Sequence, residues 1–329
     1  MKNKLLSLAS LLAVFNANAI EIGPTGSGVE MSGFIDIAFT DQATGKQSTS
    51  VGQVEVNFDY SNGPVSASVD LDFGGNSKYG AASADYDGNL EEAVVTYDFG
   101  NGFSASAGKM LSYMGFEAFD PTNMYQYSYA YDYGNYAVQS IYDAYDVGVS
   151  IDYATDDYSI GVWSSAENSA GYELALAYTG IDNLTAKAIW SDFSDQESAY
   201  TKNTYWVSYT FGNLLVAGEI AEADSKAAAT GDDKDGFLIM GNYSFTDKTA
   251  LTLRYSQEET SGWDSDVLTS DIGKFTISPS YSFTDNFSGL IEFSTYDEDV
   301  AGTIDYDGDT INDSRDIENL LAVELIYTF

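Results

Sequence analysis

The sequence predicts an all-β fold, a transmembrane antiparallel up-and-down β-barrel of about 16 strands, formed as a single domain by residues 20–329. Three observations predict it. Segments with one apolar face follow one another through the chain, joined alternately by tight aromatic-flanked turns and long polar loops. The final eleven residues, Asn319 to Phe329, form an apolar strand that runs to the carboxy terminus. Residues 1–19 read as a cleaved export signal.

The terminal strand places Leu321, Val323, Leu325, Tyr327 and Phe329 on one face. The other face carries Ala322, Glu324 and Thr328, with Leu320 and Ile326 as apolar exceptions. Chain ends fray in water, so an apolar face continuing to the last residue needs a partner strand and an apolar medium. Such an end is similar to the closing strand of a bacterial outer-membrane barrel; taken alone, it also fits an edge strand of a soluble sandwich. At the other end, Lys2 and Lys4 precede an apolar run from Leu5 to Phe15, too short to span a bilayer, and Ala17-Asn18-Ala19 is an A-x-A cleavage site. The mature chain then begins at Ile20, with no cysteine to carry a lipid anchor.

No later segment is apolar over the eighteen or so residues that a membrane-spanning helix needs, so a membrane-embedded chain must cross as strands. Thirty Gly, 26 Tyr and 18 Phe against 4 Pro suit β-structure with tight turns. The sequence holds neither Cys nor His, which excludes disulfides, thiol chemistry, imidazole bases, Ser-His triads and His-ligated metals. Known barrel enzymes of the outer membrane use histidine, so the expectation is no enzyme. The net charge is -38, from 13 Lys+Arg and 51 Asp+Glu; loss of Lys2 and Lys4 with the signal leaves 11 basic residues against the same 51 acids, a net of -40. Such a surface repels nucleic acid and attracts cations, and it also fits a salty habitat.

In chain order, Met31, Gly33, Ile35, Ile37 and Phe39 alternate with Ser32, Phe34, Asp36 and Ala38. Val54, Val56, Phe58 and Tyr60 then alternate with Glu55, Asn57 and Asp59, and a Ser61-Asn62-Gly63-Pro64 turn leads into Val65, Ala67, Val69, Leu71 and Phe73. That hairpin has one apolar and one acidic face. The unit recurs, with turns such as Phe99-Gly100-Asn101-Gly102-Phe103, Phe211-Gly212-Asn213-Leu214, Phe245-Thr246-Asp247-Lys248 and Phe283-Thr284-Asp285-Asn286-Phe287. Longer loops intervene, roughly Asp41–Gly52, Gly74–Asn89, Lys109–Ser140, Ser165–Ala170, Phe193–Lys202, Ala223–Asp235, Glu258–Ser270 and Asp297–Glu318. Short turns on one side and long loops on the other are the asymmetry of periplasmic turns and extracellular loops. An even strand number puts both chain ends at one rim, and the turn aromatics Tyr60, Phe99, Phe103, Tyr153, Tyr158, Tyr178, Phe211, Phe245, Phe283, Phe287 and Phe329 then form a girdle at one height.

Parity places Asp36, Glu55, Asp59, Asp70, Asp72, Asp98, Asp146, Asp152, Glu173, Glu219, Glu292 and Glu324 on the interior face, with Lys187, Arg254 and Lys274 as the few cations. So many ionised groups cannot sit in a dry core without large desolvation costs, so the expected interior is wet, and about sixteen strands leave room for a channel. Excess carboxylate along it favours cations.

The stretches Ser32-Gly33-Phe34-Ile35-Asp36, Leu90 through Gly102, and Gly108-Lys109 followed by Gly115-Phe116-Glu117 and Pro121-Thr122-Asn123 resemble the outer-membrane porins, most closely the OmpL-like β-barrel porin family. The resemblance implies a passive diffusion channel for small hydrophilic solutes and ions, in the outer membrane among lipid and lipopolysaccharide, as a homo-oligomer, commonly a trimer. It also implies that the loop at residues 109–140, after the fifth strand, folds into the barrel, with Glu117 and Asp120 as constriction acids and Lys109 at its base. The arginine cluster of enterobacterial porins is missing here. An external cap packed on itself is the alternative for this loop.

Within that loop, Tyr125, Tyr127, Tyr129, Tyr131 and Tyr133 recur at period two. On a strand they would form one stripe, either a track for sugar rings, as in carbohydrate-specific porins, or packing against the wall. In the last loop, Asp305, Asp307, Asp309, Asp313 and Asp316, with the Ile311 carbonyl, have the ligand spacing of a calcium loop, although Thr310 stands where the turn glycine belongs. The alternative there is a solvated acidic loop; no cofactor is otherwise expected. A non-conducting structural or adhesive barrel is the remaining reading for the whole chain.

Overall fold

The computed structural model of the chain describes residues 19–42, 46–73, 90–117, 120–132, 140–165, 171–193, 200–225, 233–263, 268–301 and 319–329. Its strands are β1 (Ile20–Glu21), β2 (Val29–Gln42), β3 (Lys46–Asn62), β4 (Val65–Asp72), β5 (Leu90–Gly100), β6 (Phe103–Leu111), β7 (Tyr145–Ala154), β8 (Tyr158–Ser165) and β9 (Tyr172–Tyr178). They continue with β10 (Leu184–Asp192), β11 (Tyr200–Phe211), β12 (Leu214–Ser225), β13 (Asp233–Ser244), β14 (Thr249–Trp263), β15 (Leu268–Thr284), β16 (Phe287–Ala301) and β17 (Leu320–Thr328). From β2 to β17 each strand pairs antiparallel with the next, and β17 pairs with β2, which closes a barrel of sixteen strands. Closure leaves no unpaired edge, the condition for a sheet in hydrocarbon.

The alternation sorts as the period of two requires. Along β7, Val147, Val149 and Ile151 face outward and are exposed, whereas Ser150 and Asp152 face inward and are buried. Along β17, Leu321 and Tyr327 face outward, whereas Leu320, Ala322 and Glu324 face inward. Exposed apolar side chains on such a wall contact lipid rather than water. At the short-turn rim the rings pair edge-on, Tyr97 with Phe99 at 4.9 Å, Tyr243 with Phe245 at 4.9 Å and Tyr281 with Phe283 at 5.1 Å, forming the girdle.

Several ladders run further than apolar alternation suggests. β3 begins at Lys46 rather than at Gln53, and β14 reaches Trp263 inside the expected Glu258–Ser270 loop. Polar hairpins can go on pairing backbone to backbone above the membrane, where a polar side chain costs nothing to expose. The export-signal residues 1–18 and the proposed calcium ligands Asp305, Asp307, Asp309, Ile311, Asp313 and Asp316 lie outside the described residues.

The seam is tight. The Phe329 amide donates to the Gly33 carbonyl at 2.9 Å, and the Gly33 amide donates back to the Phe329 carbonyl at 3.0 Å. A Cβ at Gly33 would lie 2.2 Å from the Glu55 carbonyl oxygen and 2.7 Å from the Phe329 ring, so only glycine lets the last aromatic lie over β2. β1 continues the line of β17 along β2, with Ile20 opposite Met31. Deleting Phe329 should remove two closing hydrogen bonds, about 1 kcal/mol each, together with the ring contact. A lower yield of heat-modifiable barrel on refolding into detergent is the expected result; an unchanged yield would count against a closing role.

Candidate functional site

The fifteen charged residues expected to line a channel all sit on inward-facing positions, but they do not share one environment. Ten are buried: Asp36, Glu55, Asp152, Glu173, Lys187, Glu219, Arg254, Lys274, Glu292 and Glu324. Asp59 is exposed, and Asp70, Asp72, Asp98 and Asp146 are half-buried. The expectation of a wet interior throughout is therefore corrected. The described parts of the segment joining β6 to β7, residues 112–117, 120–132 and 140–144, lie inside the barrel and cover the wall from β7 round to β17.

Wall side chains hold this segment by its backbone. Glu173 accepts from the Ser112 hydroxyl at 2.7 Å and the Tyr113 amide at 2.9 Å, and Glu219 accepts from the Phe116 amide at 3.0 Å and the Tyr142 hydroxyl. Glu292 accepts from the Ser128 amide at 2.9 Å and its hydroxyl at 2.5 Å. Arg254 donates to the carbonyls of Ser128 at 2.8 Å and Tyr129 at 3.2 Å while pairing with Glu117 at 2.5 Å. Lys274 pairs with Asp132 and donates to the Tyr129 carbonyl. Irregular backbone at membrane depth needs every polar group satisfied, and the inward carboxylates and cations supply those partners.

Apolar contacts complete the seat. Tyr113, Met114, Ala130, Tyr131, Ile141 and Tyr142 pack with Trp163, Ile189, Leu238 and Met240, and a Cβ at Gly236 would lie 2.7 Å from the Tyr131 ring. Tyr127 packs separately against Ala38, Leu290, Leu320 and Ala322.

The profile of the putative beta-barrel porin-2, OmpL-like family matches residues 28–329. The chain belongs to this porin family. Among solved structures, outer-membrane expressed OmpT of Vibrio cholerae aligns at 17% identity and a TM-score of 0.65, covering 94% of this chain and all of that one. A Salmonella typhi OmpF complex with daunomycin aligns at 14% and 0.64, covering 94% and 100% of the two chains. An anion-selective porin from Comamonas acidovorans aligns at 12% and 0.60, covering 92% and 99%. At such identities the likeness is one of fold. No curated protein sequence matches the chain.

In this porin the two acids placed at the constriction by sequence go to opposite sides. Glu117 is buried and spent on Arg254, the Ala130 amide at 2.6 Å and the Gln126 carboxamide at 2.8 Å, so it anchors the loop. Asp120 faces β3 and β5, where Glu55, Glu91 and Asp120 each bring a carboxylate oxygen within 4.8 Å of the others. Three such oxygens are hard donors suited to a cation. Lys109 stands at the base of the loop, near the end of β6, but as a constriction candidate it is corrected: it sits opposite Ala93 and Val147 on the outward parity, and its ammonium reaches the Leu90 carbonyl at 2.6 Å. A lysine on the lipid face extends its head to the nearest polar group, so it does not enter the lumen.

The tyrosine stripe is also corrected. Residues 125–132 form no strand, and Tyr127, Tyr129 and Tyr131 are 3%, 2% and 0% exposed, which leaves no ring face for a sugar; Tyr125 is half-exposed and Tyr133 lies outside the described residues. Sequence parity missed Glu91. The ladder slips between Asp70 and Leu71, pairing Asp70 with Glu92 and Leu71 with Leu90, so Glu91 is the extra residue of a bulge and turns inward to accept from Gln53 at 3.3 Å.

Proposed function

We propose that this porin passes small hydrophilic solutes, with a preference for cations, through an eccentric opening between the infolded loop and the wall formed by β3 to β6. One observation carries the reading: inward residues of β4, β5 and β6, among them Ser68, Asp70, Asp72, Glu92, Thr96 and Ser106, are half-exposed, whereas those behind the loop are buried. That open wall carries Asp59, Asp70, Asp72, Glu91 and Glu92, faced by Asp120 on the loop, and on β4, β5 and β6 no Lys or Arg lies on the inward face among the described residues. A low-dielectric channel lined by one sign of charge concentrates counterions. No reaction chemistry is assigned. Lipid and lipopolysaccharide surround the wall in this reading, and the trimer form described for OmpT of Vibrio cholerae supports a homotrimer.

The experiment is the reversal potential of the purified protein in a planar bilayer under a salt gradient, read at several pH values. A cation-selective potential at pH 7 is expected. Burial pushes the Asp120 carboxyl up to about 6, a hydrogen bond with Glu55 opposes the rise, and the Asp72 charge adds to it. Protonation as pH falls through that value removes a negative charge from the opening, so cation preference should decline between pH 7 and 5. Asp120→Asn should abolish the Asp120 part of that decline. Because the proton is held more tightly in the fold than in the free chain, the same group favours folding at low pH and this contribution is lost as pH rises from about 4 to about 6. Anion preference, or absence of conductance from folded barrel, would overturn the proposal, the latter leaving a structural barrel closed by its loop.

A further inference from the structure

At the long-loop rim, between the stem of the infolded segment and the ends of β6 to β11, lies a cavity of about 210 Å³. Its wall includes the rings of Trp163, Phe193 and Tyr200, together with Asp143, Glu173 and Ser112. Phe193 stacks with Tyr200 at 5.3 Å and meets Trp163 at 5.9 Å, so an aromatic surface forms one side. This pocket is separate from the acidic opening along β3 to β6.

The polar groups of the cavity are unevenly satisfied. Both Glu173 oxygens are taken, by the Ser112 hydroxyl and the Tyr113 amide. Oδ1 of Asp143 accepts from the Tyr200 hydroxyl at 2.9 Å and from the Lys202 ammonium at 2.5 Å, which offsets its charge. Two buried atoms are left over. Nε1 of Trp163, a residue 5% exposed, has no acceptor among the described residues, and Oδ2 of Asp143 has no donor. A buried indole N–H and a buried carboxylate oxygen each normally find a partner.

From this we infer that the cavity is a binding subsite for a neutral hydroxylated ring, one monosaccharide unit in size, held on the aromatic wall with one hydroxyl accepting from Trp163 and another donating to Asp143. A hydroxyl both donates and accepts, so one ligand satisfies both orphan atoms. A simple organic cation would complete Asp143 and leave the indole N–H unpaired. The volume falls below the roughly 300–1,000 Å³ typical of pockets for drug-sized molecules, which limits the occupant to one ring. Its place at the rim makes it a capture point ahead of the opening.

The test is a titration of the folded protein in detergent with the methyl glycosides of glucose, galactose and mannose, and with choline, followed by tryptophan fluorescence and calorimetry. Saturable binding of at least one glycoside is expected. Trp163→Phe keeps a ring but removes the donor, and Asp143→Asn keeps the shape but removes the charge; each should weaken binding tenfold or more. Trp190→Phe, on the lipid-facing parity of β10, should leave the calorimetric affinity unchanged. No glycoside binding, binding indifferent to both cavity variants, or binding of choline alone would overturn the inference. Because binding is read without conductance, the outcome is independent of whether the opening conducts.

Discussion

Replacing Arg254 with methionine is expected to lower the stability of the barrel by about 3–5 kcal/mol and to raise and destabilise its single-channel conductance. The guanidinium is 1% exposed and joins Glu117 to the backbone carbonyls of Ser128 and Tyr129. Its removal leaves Glu117 as a buried carboxylate without its cation, and breaking one side of a buried pair costs about that amount. Lys274, Glu292 and Glu219 still hold the segment, so the loop should not leave the barrel. It should instead sample several positions, seen as added current noise and a larger mean opening. The double variant Arg254→Met with Glu117→Gln removes the orphaned charge and should recover most of the stability while keeping the altered conductance. A single variant with wild-type unfolding and wild-type current traces would show that this pair does not set the loop.

The second large effect concerns selectivity. Neutralising Asp70, Asp72 and Glu92 together, as Asn, Asn and Gln, should reduce the reversal potential by more than half in 0.1 M salt. The change should fade at 1 M, where the screening length falls from about 10 Å to about 3 Å. The three are half-buried on the wall of the proposed path, where substitution is tolerated. Glu292→Gln is the informative contrast. Its carboxylate is 0% exposed and occupied by Ser128 and Ser294, so that change should affect unfolding rather than selectivity. If Glu292→Gln moved the potential as far as the triple variant does, the conducting path would not run along β3 to β5.

Glu117 and Asp120 show how far sequence reading reaches into the site. They lie three residues apart in one loop, and nothing local distinguishes them; one is anchored by Arg254 from β14, the other faces Glu55 and Glu91 from β3 and β5. Lys109, carried over from the resemblance, stands at the loop's base as expected but on the lipid side, because one step along a strand decides between lumen and lipid and the β6 ladder resolves it. Glu91 was hidden by a bulge, which shifts parity without leaving a mark in the composition.

Strand number, closure by Phe329, the aromatic rim and the inward set of acids were all legible from the chain, because a lipid-facing wall imposes a period of two and a terminal aromatic at every level of the sequence. Which of those acids meet water was not. Parity assigns a face but cannot say what fills the space beyond it. That depended on residues 112–117, 120–132 and 140–144 entering the lumen, where carboxylates that looked like channel lining became hydrogen-bond acceptors for a loop more than a hundred residues away in some cases, as between Ser128 and Glu292. Contacts of such sequence separation have no periodic signature, so the division of the interior into a packed side and an open acidic side belongs to the folded barrel.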